Sequence, residues 1–153
     1  PTVREPAMPY AFSIADLYKY EACCLDERVA DLEDHLGREV PKNEDIPMSV
    51  WAEFTESELD LIWALRCRPE GADIAAQVAR RVANRIPWGT INAEAAHLHA
   101  DRSKAAADAA DAVDASRYAR AGVWAAMYAA GAAMTGADVW ADVRADILEL
   151  TAT

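Results

Sequence analysis

Basic side chains are scarce in this sequence relative to their opposites: 15 Lys and Arg stand against 26 Asp and Glu, a formal net charge of −11. That balance argues against direct nucleic-acid binding, which needs cations to displace the counterions of phosphates. It also repels anionic membrane surfaces. Long apolar runs are missing too. The longest uncharged stretch, 121–137, is 17 residues, nearly half of them alanine, too short and too weakly apolar for a spanning helix. The three cysteines form no Cys-x-x-Cys, so neither a disulfide framework nor a thiolate zinc site is written in their spacing. Six glycines occur, none in a phosphate-cradling loop, and no serine has a nucleophile-elbow context. These absences leave no catalytic residue and no cofactor to nominate. With no charged-then-apolar leader in view, the expected compartment is the cytoplasm.

What the chain does have is alanine and helix punctuation. Its 153 residues suit one domain with a core of its own. Just over half are apolar, enough to argue against disorder. Alanine buries little area, so Leu, Ile, Val and the five tryptophans must supply most of the hydrophobic stabilisation.

The expected architecture is all-α: a single helical bundle of about five to six helices over 13–153, preceded by an extended arm over 1–12 that holds Pro1, Pro6 and Pro9. Ser13 with Asp16 reads as a helix start. Ile14, Leu17, Tyr18, Leu25, Leu32 and Leu36 then recur as one amphipathic helix that Gly37 ends. A polar loop over 40–47 leads to a short helical turn at 48–54. Thr55 and Glu58 have capping-box spacing ahead of Leu59, Ile62, Trp63 and Arg66, and Pro69 stops that helix. Asp73 opens the next, with Ile74, Val78, Val82 and Ile86 spaced by four, and Pro87–Trp88–Gly89 breaks it. From Asn92 to Met134 no proline intervenes, and the alanine-rich run reads as one long helix or two joined near Ser116. A last helix spans 138–150. No segment alternates with period two, so no sheet is expected.

Charge is unevenly placed. Residues 16–60 hold 14 acids and 4 bases, a net of −10. Residues 61–100 hold 5 bases and 3 acids, the bases being Arg66, Arg68, Arg80, Arg81 and Arg85. Two readings follow. Either the arginine segment packs against the acidic helix and the charges compensate, or the acids face outward. A row of carboxylates on a rigid helix would then imitate nucleic-acid phosphates and dock on a cationic groove. The candidate docking residues are Glu27, Asp31, Asp34, Glu44 and Asp45, with the stripe Asp138, Asp142, Asp146 and Glu149.

Spacing decides the other candidate chemistry. Cys23 and Cys24, read as neighbours on a helix, diverge by about 100° and share no metal easily, with Cys24 assigned to the core beside Leu25. Glu27, Asp31 and His35 share a helical face in a metal-ligand pattern that a solvated face also produces. Glu94 and His97 match the Glu-x-x-His element of di-iron bundles, but no second element accompanies them. His97 and His99 point to different sides of a helix. No metal site is assigned. Trp51 and Trp88 flank breaks and suit interface anchors.

Three stretches, "ACCLDERVADL", "ELDLIWALR" and "SRYARAGVWAAMYAAGAA", lie in an order that resembles alanine-rich immunity-protein families of bacteria and their phages. Here the last block is short of tyrosine, and the arm and the acidic last helix are additional. The resemblance implies a protein that neutralises another protein and carries no catalytic residues. A phage-borne anti-CRISPR-type inhibitor fits the same physics. The expected partner is a basic protein or a nucleic-acid-handling complex, with no direct contact to nucleic acid or membrane. The competing expectation is a structural accessory protein whose alanine faces pair into homo-oligomers.

Overall fold

The computed structural model of the protein describes residues 9–20, 22–133 and 139–152, the side chains of 130–133 excepted. Eight α-helices occur among them: α1 (Ile14–Lys19), α2 (Leu25–Leu36), α3 (Met48–Glu53), α4 (Glu58–Ala64), α5 (Gly71–Asn84), α6 (Ala93–Asp108), α7 (Ala112–Ala133) and α8 (Val139–Thr151). The class is all-α, as the periodicity implies, in one compact domain. The helix count exceeds the expected five to six because two long expected elements divide.

The first division lies between α1 and α2. Ser13 caps α1 as expected and, with Asp16, forms a full capping box: the Asp16 N–H donates to Ser13 Oγ at 3.2 Å and the Ser13 N–H to Asp16 Oδ2 at 2.9 Å. The helix then stops at Tyr20, and Cys24 takes a left-handed backbone, φ 60°. The break lets two apolar stripes face one core. Ile14 and Leu17 are buried from α1, Leu32 from α2, and Tyr18, expected on the same stripe, stands exposed. Gly37 ends α2 as expected, with φ 69° and its N–H donating to Glu33 O. That left-handed conformation suits glycine.

Thr55 does not start α4. Its hydroxyl donates to Trp51 O at 2.6 Å and closes α3 instead, and α4 begins after Ser57. A 3₁₀ turn, Leu65–Cys67, continues α4 before Pro69. Helix α5 begins at Gly71, two residues before the expected Asp73. A Cβ on Gly71 would lie 1.7 Å from the Leu65 carbonyl oxygen, so only glycine permits this approach. The buried face of α5 is Ala72, Ala75, Ala76, Val78, Ala79, Val82 and Ala83. It packs on α6 and α7 through their alanines Ala96, Ala100, Ala115, Ala119 and Ala126.

The long alanine-rich stretch is two helices. They meet at Ala109–Asp111, where Ala110 has φ 58°, and not near Ser116. Ser116 sits inside α7 and its hydroxyl donates to Ile62 O at 2.8 Å, locking α7 to α4. Ser103 Oγ donates to Ala115 O at 2.7 Å across the α6–α7 pair.

A small sheet exists where none was expected. Strand β1 (Ala11–Phe12) pairs antiparallel with β2 (Ile46–Pro47). Tyr10 and Phe12, at the end of the expected arm, belong to the core, with the Tyr10 hydroxyl donating to Ala64 O at 2.7 Å. Residues 1–8 lie outside the described residues. Two residues per strand is too short for alternation to show, which is why periodicity misses the ladder.

Candidate functional site: an acidic groove beside α2

The nine acids nominated from sequence separate into two kinds. Asp146 points inward from α8, only 4% exposed, and accepts from Arg85 at 2.5 and 2.7 Å and from Arg81 at 3.4 Å. Glu149 also holds Arg81, at 3.0 Å. Both arginines lie in or just after α5, so here the arginine-rich segment cancels the acidic stripe internally. Asp142 is exposed, and Asp138 lies outside the described residues. Glu44 binds Arg38 with two hydrogen bonds, and Asp45 pairs with Arg68, which also holds Asp16 at 3.2 Å. Arg80 pairs with Asp101. Glu27, Asp31 and Asp34 are exposed on α2, and no ion pair engages them among the described residues.

Two of these free acids frame a groove. Asp31, Asp34 and His35 from α2 face Ala52, Glu53, Phe54, Thr55 and Glu56 at the end of α3 across an open depression of about 690 Å³. His35 Nε2 contacts Glu53 Oε2, and the imidazole packs against Phe54 with ring centroids 5.3 Å apart. The floor is fixed by Arg144 from α8. Its guanidinium bonds Glu58 Oε1 at 3.1 Å and donates to Ala52 O at 2.9 Å, Thr55 O at 2.6 Å and Glu56 O at 3.0 Å. These are carbonyls that the end of a helix leaves unpaired, so Arg144 serves as a clasp over the α3–α4 turn. The lining therefore holds four carboxylates, Asp31, Asp34, Glu53 and Glu56, and one guanidinium already committed to Glu58. Such a surface attracts cations, and the fixed floor supplies a shape for them to fit.

Glu53, Glu56 and Arg144 were not singled out from sequence. The two glutamates belong to the acid-rich 16–60 segment, which was the available signal. Nothing in the spacing marks Arg144, because its partners are backbone carbonyls some ninety residues away in the chain.

Cys23 and Cys24 are exposed in the link between α1 and α2, off any helix, with Sγ atoms 2.9 Å apart. This corrects both the expected divergence of the pair and the core position of Cys24. Cys67 is buried, and burial pushes its thiol up to about 12. Burial likewise raises the Tyr10 phenol. Glu94 and His97 share a surface depression with Trp88, whose ring stacks on the imidazole at 4.1 Å. Among the described residues no three His, Cys, Asp or Glu side chains gather as metal donors. Trp88 is 72% exposed, as an interface anchor would be, whereas Trp51 is core, stacked on Phe12 and donating to Ile46 O at 3.1 Å. A partly open pocket of about 290 Å³ lies between Phe12, Trp51 and Trp63, bordered by Cys23, Arg120 and the Arg28–Asp60 pair. Among the described residues no helix is long and apolar enough to cross a membrane.

Comparison with family models finds no match, and comparisons with curated proteins and with solved structures find none either.

Proposed function

We propose that the chain is a non-enzymatic binding protein of the inhibitor or immunity type, which docks the α2–α3 groove on a basic surface of another protein. The observation that carries this reading is electrostatic. Four carboxylates line one open depression, and its single guanidinium is spent on backbone carbonyls and Glu58. Lys or Arg side chains of a partner would find carboxylate acceptors there, of which Glu53 already contacts His35 while Asp31, Asp34 and Glu56 have no ion pair among the described residues, and the chain's net charge of −11 would speed the encounter. The partner surface would be one that normally meets phosphates, on a toxin or on a nucleic-acid-handling complex. The docking set narrows to Asp31, Asp34, Glu53 and Glu56, with Glu27 one turn before Asp31 on the exposed face of α2.

The test is a pull-down from the native host with the wild-type chain and with a D31N/D34N/E56Q chain, followed by binding measurements on the captured protein. Each neutralised rim charge is worth about 0.5 kcal/mol, so the triple variant should bind roughly tenfold more weakly. Binding by wild type should also weaken as salt rises. Equal affinity of the two chains, or a salt-independent affinity, refutes the acidic-docking idea.

A second reading rests on a different patch. Trp88, Ile91 and Leu98 are all exposed near the start of α6, and such a patch suits self-association. The alanine faces themselves are used within the bundle. Light scattering separates the readings: a stable oligomer of the purified chain that W88S disperses favours a structural role.

A further inference from the structure

We propose that Cys23 and Cys24 are a two-thiol redox site, closing to a disulfide between adjacent residues under a mild peroxide-class oxidant. Both thiols are exposed, their sulfurs lie 2.9 Å apart, and no helix resists their approach. Helix α1 has ended at Lys19, α2 starts only at Leu25, and Cys24 itself has a left-handed backbone, φ 60° and ψ 43°. A side chain on a continuous helix would have been held about 100° from its neighbour. Here the backbone brings the two to the same side.

The chemistry balances with hydrogen peroxide as the oxidant. Either thiolate can open the sequence; from Cys23, it attacks one peroxide oxygen. An S–O bond forms, the O–O bond breaks, and the leaving hydroxide takes up the thiol's proton as water. Cys24 sulfur then attacks the sulfenic acid, the S–S bond forms, the S–O bond breaks, and the second oxygen leaves as water with the Cys24 proton. Two sulfurs lose two electrons in all, and peroxide gains them. Each thiol stands 2.9 Å from the other and both are exposed, so whichever sulfur is oxidised first has its resolving thiol beside it.

The product would be a labile bond. Adjacent Cα atoms are about 3.8 Å apart, shorter than the usual span across a disulfide, so the ring stores strain and reduces readily. That suits a reversible modification and not a structural staple. It also has a local consequence, because Cys23 borders the partly open aromatic pocket and its carbonyl accepts from Arg28 Nε at 3.0 Å, the same arginine that holds Asp60 at 2.8 Å. Closing the ring would draw the Cys23 side chain toward Cys24 and reshape that edge. Cys67 is no competitor, being buried in the 3₁₀ turn after α4.

The experiment treats the reduced full chain with stoichiometric hydrogen peroxide, blocks remaining thiols with iodoacetamide, and maps peptides by mass spectrometry. The expected result is a Cys23–Cys24 peptide lighter by two hydrogens and carrying no alkyl group, restored by dithiothreitol. A C24S chain, unable to resolve, should accumulate several-fold more dimedone-trapped sulfenic acid at Cys23 than wild type. Dialkylated peptide after peroxide, sulfinic acid or an intermolecular dimer as the main product, or equal dimedone trapping in wild type and C24S overturns the proposal.

Discussion

Asp146 and Asp31 have the same side chain and opposite expected fates on neutralisation. Asp146 is buried on α8 and receives both terminal nitrogens of Arg85 plus one of Arg81. Those hydrogen bonds raise the Arg85 guanidinium above its ordinary range, which records the same attraction from the other side. Replacing the carboxylate with an amide keeps its volume but removes its charge and turns an acceptor into a donor aimed at guanidinium. A hydrogen bond to a charged group is worth about 1.5–3 kcal/mol. The full sum does not apply, because the arginine side chains are 35% and 43% exposed and recover water when released. The net cost of D146N is then about 2 kcal/mol, or roughly 4–8 °C in Tm for a chain of this size. D31N and D34N break no contact, so each should stay within about 0.5 kcal/mol of wild type. Thermal unfolding followed by far-UV circular dichroism reads both. A D146N chain that melts with wild type, or a D31N chain that melts well below it, would refute the division into structural and free carboxylates.

The close pass at Gly71 gives a steric counterpart: G71A drives a Cβ into the Leu65 carbonyl oxygen, backbone that cannot swing away, and should cost about 3 kcal/mol or more in urea unfolding. Burial and the nearby Arg102 hold the His99 imidazole below its ordinary value. As pH falls through about 6.5 the unfolded chain takes up that proton first, so stability declines with acid, and H99Q should lose this part of the slope in unfolding midpoints. Cys67, buried and pushed up to about 12, should resist iodoacetamide at neutral pH until denaturant is added, while Cys23 and Cys24 react in the folded chain.

Helix content was legible because caps and periodicity are local. Ser13–Asp16, Gly37, Pro69 and the Pro87–Gly89 break all act where the spacing places them. What local signals miss is choice between local partners. Thr55 had a forward capping option and a backward one, and the end of α3 took it. The 14–36 stripe is continuous in spacing, with Leu17 and Leu32 only about 60° apart around a straight helix, yet the chain breaks at residues without proline or glycine, where Cys24 takes a left-handed backbone. The acidic excess of 16–60 pointed to the right region for the groove. It did not distinguish Asp45, held by Arg68, from Asp31, held by nothing, because ion pairs between elements depend on how helices cross. The α8 stripe shows the same limit: its spacing is regular, but Asp146 lies on the edge of the face turned to α5.

Salt offers a way to separate the two kinds of carboxylate without mutation. The internal pairs sit within 4 Å of their partners, well inside the roughly 10 Å screening length at 0.1 M ionic strength, so added salt weakens them little. The repulsion that accompanies a net charge of −11 acts over longer distances and is screened first. Raising salt from low to moderate concentration should therefore raise Tm, since the unfolded chain spreads its charges and gains less from screening. Docking of the groove on a basic surface should respond in the opposite sense, because attraction between the partners is screened over the same range. A chain that melts earlier as salt is added would show that its stability leans on exposed attractive pairs.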